Sequence, residues 1–138
     1  MISPVVVDSC VAYKWLCPHD EPAVADAHAL LDRHQAGDIA LVAPNTLHVE
    51  LANALCCSSW LDPHDALTLI GELDAFRIEL VDVDAQLLSR AAEMALAWKM
   101  SVYDALFLAL AEARGCPLVT ADRKAFGRVN TSVEIRLI

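Results

Sequence analysis

The chain has 138 residues, of which 57% are hydrophobic, and its 19 acidic against 10 basic residues leave a net charge of −9. That length fits one domain able to bury roughly two-thirds of its unfolded surface. The negative field opposes unassisted capture of a polyanion, and no uninterrupted apolar run approaches the ~18 residues of a membrane-spanning helix. With no basic, hydrophobic leader at the N-terminus, a soluble cytoplasmic protein is expected. The apolar fraction exceeds the roughly 45–50% of ordinary domains, so some apolar surface is expected to serve a partner. Five cysteines (Cys10, Cys17, Cys56, Cys57 and Cys116) are odd in number, lie in apolar stretches and lack CxxC spacing, which reads as reduced core thiols. A zinc site from Cys10, Cys17 and His19 lacks a fourth ligand.

Short apolar runs alternate with helical patterns along the whole chain. Residues 5–7 predict a strand ending at Asp8, and residues 22–35 a helix stopped by Gly37. A strand is expected over 39–43, followed by a helix from Asn45 or Thr46 to 58. Asp62, with Pro63 at the first helical position, opens a helix to 76. A strand over 78–83 leads to a helix from Asp84 to 98, and Ser101 restarts a helix that ends at Gly115. Strands over 118–120 and 133–137 complete the pattern. Such alternation implies an α/β fold, a single domain with about five mainly parallel strands flanked by helices in a three-layer sandwich.

Four carboxylates sit where charge is costly. Asp8 and Asp122 each follow an apolar strand, and in open α/β sheets ligands bind beyond the carboxyl ends of the strands. Each also has a local reading as a helix cap. Glu50 borders the apolar stripe of Leu47, Leu51, Ala54 and Leu55, where surface glutamates seldom lie. Asn53, three residues on, is placed to orient it; the competing reading is a rim glutamate reaching solvent. Asp104 is the one charged residue between Val102 and Ala111, although Ser101 and Asp104 also read as a capping box. Asp82 and Asp84 are rival strand-end acids explained by strand polarity and capping. Histidines are scattered, with no serine or cysteine nucleophile motif beside them, and no glycine-rich phosphate loop is present.

Two carboxylates about 4 Å apart repel by roughly 4 kcal/mol at an effective dielectric of 20, so four in one pocket call for a divalent cation. All-oxygen ligands select Mg²⁺ or Mn²⁺, which binds substrate phosphate and acidifies a water that attacks in line. Arg123, Lys124, Arg128 and Arg136 follow Asp122 closely, and the first three are candidate contacts for flanking phosphates. An acidic pocket is then compatible with a nucleic-acid substrate.

Val6-Val7-Asp8-Ser9, Glu50-x-x-Asn53, Tyr103-Asp104-Ala105 and Thr120-x-Asp122 followed by Phe126 resemble, in order and spacing, the PIN-domain ribonucleases, specifically VapC-type toxins of toxin-antitoxin pairs. The resemblance covers almost the whole chain. It implies an acidic quartet of Asp8, Glu50, Asp104 and Asp122 around Mg²⁺ or Mn²⁺, supported by Ser9, Asn53 and Thr120. It further implies endonucleolytic RNA cleavage leaving a 5′-phosphate, and inhibition by a VapB-like antitoxin whose C-terminal segment fills the groove. A homodimer is expected, with the helices over 22–35 and 62–76 offering surfaces for the second copy or the antitoxin. The alternative is a non-catalytic Mg²⁺-binding signalling module similar to a receiver domain. It lacks support in an adjacent acidic pair after the first strand or a lysine at the end of the last.

Overall fold

β-Branched Val5, Val6 and Val7 favour extended backbone. They form the buried end of β1 (Ser3–Val7) in a computed structural model that describes residues 2–138. Four further strands, β2 (Ile39–Pro44), β3 (Glu79–Val81), β4 (Leu118–Thr120) and β5 (Ile135–Leu137), complete a sheet of order β3-β2-β1-β4-β5. Every pair in it is parallel. Consecutive residues of a strand point to opposite faces. Since Val5, Val6 and Val7 are all buried, as are Leu41, Val42 and Ala43, both faces of the sheet are covered.

The cover is supplied by α1 (Ser9–Leu16), α2 (Val24–Gln35), α3 (Leu47–Cys57), α4 (Pro63–Gly71), α5 (Ala85–Trp98), α6 (Val102–Arg114) and α7 (Arg123–Phe126). The expected α/β architecture is thus formed. Its centre is α6, in which every residue from Ala105 to Ala111 is buried. That helix packs on β1, β2, β4 and α5. Ser101 caps its start by accepting from the Asp104 amide at 3.1 Å. Gly115 ends it in the left-handed region at φ +60°, a conformation that disfavours side chains.

The chain steps outward from β1 through β2 to β3, then returns to place β4 and β5 on the other side of β1. Strand order therefore reverses between β1 and β4, the place where α/β sheets bind ligands. A receiver-like domain has the order 2-1-3-4-5, which this sheet does not have.

Several boundaries differ from expectation. Helix α1 begins directly after β1 with no intervening loop, because Asp8 caps it by accepting from the Ser9 amide at 2.8 Å. The helix expected over 62–76 is broken: α4 stops at Gly71, the least helix-favouring residue beyond its first turn, and a 3₁₀ turn covers Leu73–Phe76. The third and fifth strands are shorter than the runs 78–83 and 133–137. Cys56 and Cys57 are exposed at the end of α3 rather than in the core, whereas Cys17 and Cys116 are buried. No single described helix is long and apolar enough to cross a membrane.

Candidate active site

In a parallel α/β sheet the helices run antiparallel to the strands, so helix N-termini and strand C-termini share one edge. All four carboxylates occupy that edge. Asp8 follows β1 and caps α1, and Asp122 follows β4 and caps α7 by accepting from the Ala125 amide at 2.9 Å. Glu50 and Asp104 lie in the first turns of α3 and α6. Helix N-termini favour anions, so the local capping role and a place in a common acidic centre are compatible.

Asp8 is the most deeply placed, at 2% exposed. Its Oδ2 accepts from Thr120 Oγ1 at 2.7 Å and from the Cys10 thiol at 3.3 Å. Thr120 in turn accepts from the Asp122 amide at 3.0 Å. A continuous chain of hydrogen bonds therefore ties the ends of β1 and β4 across the point of strand reversal. Cys10 closes the same junction by accepting from the Ala121 amide at 3.3 Å. Burial first, and the Asp8 charge second, push the thiol up to about 12, so it remains a protonated donor.

The charges feel one another. Burial raises the Asp8 carboxyl above its ordinary value, with Asp104 adding to the effect. Asp104 is raised by burial and by Asp122. Glu50 moves from 4.5 to about 7, through burial first and then the charges of Asp8 and Asp104. The Ser9 and Thr46 hydroxyls pull it back only in part. Neither makes a hydrogen bond of standard geometry with it, for Glu50 Oε2 and Thr46 Oγ1 are both buried without a partner among the described residues. Asn53 does not fill that role: it is exposed, and its Oδ1 faces the Cys57 thiol at 3.7 Å instead.

No three of the described histidine, cysteine, aspartate and glutamate residues converge closely enough to ligate one ion directly. The Cys10, Cys17 and His19 zinc site is therefore not formed, Cys17 lying in a separate small core with Leu55 and Ala66. Four coupled oxygen donors, one with a partnerless buried oxygen, fit a hard divalent cation held by one or two carboxylates and by waters to the others. Asp82 and Asp84 stay outside, Asp84 capping α5 through the Leu87 amide at 2.8 Å and Asp82 facing Asn45 at 3.4 Å.

Arg123, Lys124 and Arg128 line a cavity of about 720 Å³ together with Asp104 and Asp122. Lys99, which sequence reasoning did not single out, joins them from the left-handed C-cap of α5. Arg136 instead pairs with Glu134 at 2.8 Å. A second cavity of about 460 Å³ is lined by Ser9, Cys10, Glu50 and Asp122. Cys10 was legible only as a thiol in an apolar stretch and as a member of the incomplete zinc set, because two of its partners, Thr120 and Ala121, lie more than a hundred residues away.

The PIN domain family model matches residues 5–131. Among solved structures, a chain of the VapBC2 complex of Rickettsia felis, bound to a DNA fragment from its promoter, superposes with a TM-score of 0.71 at 16% identity, covering 98% of each chain. A chain of DNA-bound VapBC from Salmonella typhimurium gives 0.69 at 16% identity, over 99% of this chain and 98% of that one. The sarcin-ricin loop cleaving toxin VapC20 of Mycobacterium tuberculosis gives 0.66 at 16%, over 94% and 98%. No curated protein matches significantly in sequence. At such identities the structural agreement is one of fold, but the family match spans nearly the whole chain, all four carboxylates included. This chain belongs to the PIN domain family.

Proposed function

We propose that this chain is a Mg²⁺- or Mn²⁺-dependent endoribonuclease acting as the toxin of a toxin-antitoxin pair. The observation that carries the reading is the set of four carboxylates on the ligand-binding edge of the sheet, with Glu50 Oε2 buried and partnerless. Three of them are raised by burial first and then by a neighbour's charge, Glu50 by Asp8 and Asp104, Asp8 by Asp104, and Asp104 by Asp122. Membership of the PIN domain family supports a nuclease, and the fold shared with VapBC chains and with an RNA-cleaving toxin supports the toxin role.

On this reading Asp8, Glu50, Asp104 and Asp122 would hold the cation, directly or through water. When bound, that ion supplies charge neutralisation at a phosphate oxygen and acidity to a bound water. The remaining work belongs to the chain itself. Thr120 and Cys10 fix the Asp8 carboxylate by donating to Oδ2. Ser9 lies on the cavity wall beside Glu50 and Asp122, and Arg123, Lys124 and Arg128 receive flanking phosphates. Hydrolysis forms a bond from water oxygen to phosphorus and breaks the bond from phosphorus to the 3′ oxygen, leaving a 5′-phosphate. A VapB-like antitoxin would inhibit by filling the groove.

Cleavage of single-stranded RNA by the wild-type protein in Mg²⁺, in EDTA, and by Asp8→Asn tests the reading. Cleavage in Mg²⁺ alone is expected, with Asp8→Asn slower by orders of magnitude. Equal rates in all three samples would overturn it.

A further inference from the structure

Helix α1 carries one charged residue, Lys14, and buries it to 3% exposure. An ammonium has three donors. Its ion pair, with Glu21, spans 3.6 Å, longer than a hydrogen bond. Burying a charge against one loosely placed, partly exposed carboxylate costs free energy that an apolar residue of similar size would avoid. Fold stability therefore does not account for a lysine here.

Its surroundings do. Lys14 lines the cavity of about 460 Å³ that also holds Ser9, Glu50 and Asp122. Cys10, which touches Asp8, lies one helical turn before Lys14, about 6 Å along the axis. Side chains of a helix lean toward its N-terminus, here toward Asp8. The cavity of about 720 Å³, with Lys99, Arg123, Lys124 and Arg128, shares Asp122 with that of about 460 Å³. Of the ten Lys and Arg residues, Lys14, Arg90, Arg114 and Arg136 form ion pairs. Four of the remaining six thus line the cavity of about 720 Å³. In a chain of net charge −9, cations border the acidic centre on both sides.

We propose that Lys14 is a further substrate-binding residue, receiving a phosphate of the RNA strand on the side of Asp122 away from Arg123, Lys124 and Arg128. The strand then crosses from one cavity to the other with the scissile phosphodiester at the acidic centre. Glu21 is the resting counter-ion that the phosphate displaces. This inference rests on the ribonuclease reading.

The test compares wild type, Lys14→Met and Lys14→Arg in cleavage of a fluorescent single-stranded oligoribonucleotide in Mg²⁺ over a range of salt. Losing one phosphate contact is expected to lower the slope of log kcat/KM against log salt by about 0.7. Lys14→Met should be at least ~10-fold slower at low salt, converging with wild type at high salt, and Lys14→Arg should recover most of the loss. A Lys14→Met protein with the wild-type slope and rate would overturn the proposal and leave the ribonuclease reading standing. Wild-type protein that cleaves no RNA would overturn both. Should Lys14→Met fail to fold, ¹⁵N spectra of wild-type side-chain ammonium groups decide the matter, since the chain has three lysines, Lys14, Lys99 and Lys124. On titration with the oligoribonucleotide in Ca²⁺ in place of Mg²⁺, to a concentration at which fluorescence anisotropy shows the strand bound, the Lys14 signal is expected to shift; an unmoved Lys14 signal overturns the proposal.

Discussion

Glu50 keeps its proton to a higher pH than the unfolded chain does. Its carboxyl titrates near 7 rather than 4.5, because burial and the charges of Asp8 and Asp104 oppose ionisation. Between those values the folded state binds more protons than the unfolded state, so stability falls as pH rises through the window. Asp8 and Asp104, also raised, act in the same direction. In EDTA the thermal midpoint is expected to drop between about pH 5 and about pH 7.5. Glu50→Gln should flatten that drop and melt higher at the upper pH while losing RNA cleavage. An unaltered profile in Glu50→Gln would show that another group titrates. Lys14 and Cys10 make the same point about burial: a polar side chain kept inside this fold lies beside the acidic edge.

The elements explain why four distant residues meet. Asp8, Asp122, Glu50 and Asp104 each stand at or near a helix N-terminus, and the parallel sheet brings those termini to one edge. Helix α7 has only four residues and depends on close contact at Gly127, whose amide donates to the Arg123 carbonyl at 2.9 Å. A Cβ there would meet that carbonyl oxygen at 2.5 Å. Gly127→Ala is expected to destabilise the protein by about 1–3 kcal/mol and to slow cleavage as well, since Asp122 and Arg123 shift with the helix. Urea unfolding alongside kcat/KM checks both; wild-type values for each would show that α7 is no support for the site. Much of this level was legible in the chain. Short apolar runs followed by an acid marked β1 and β4, and Ser101 with Gly115 bracketed α6. The separate α1 was legible only as an alternative, because β1 passes into it without a turn signal. The break after Gly71 was missed because the apolar pattern continues through Leu73 and Phe76. Thr120 was named only through the family resemblance, since tertiary pairing creates its link to Asp8, and the thiol of Cys10, two residues from Asp8, was not linked to it.

At the scale of the whole molecule, surplus apolar surface was expected on the helices over 22–35 and 62–76. Helix α2 contributes no exposed large apolar side chain, for Ala27 and Leu31 are buried in the protein's own core. Exposed large apolar side chains occur on α5 (Leu88 and Leu96), at the start of α6 (Val102 and Tyr103) and at Ile2, and a further group is formed by Val49 on α3, Leu67 on α4 and Trp60 between them, at 70, 68 and 50% exposure. Helices α3 and α4 pack together, and this face is the candidate surface for a second copy. Light scattering is expected to give a dimer for wild type and a monomer for Trp60→Glu with Leu67→Glu; a monomeric wild type, or an unaltered mass in the variant, contradicts it. The net charge of −9 is reconciled with an anionic substrate if the acidic edge takes up a cation and the flanking lysines and arginines take up phosphate. That reconciliation is tested most directly by Mn²⁺ titration, followed by electron paramagnetic resonance, of wild type and of Asp8→Asn, Glu50→Gln, Asp104→Asn and Asp122→Asn. One shared centre predicts weaker Mn²⁺ binding in every variant, by about 10-fold or more, whereas wild-type affinity in all four would contradict it.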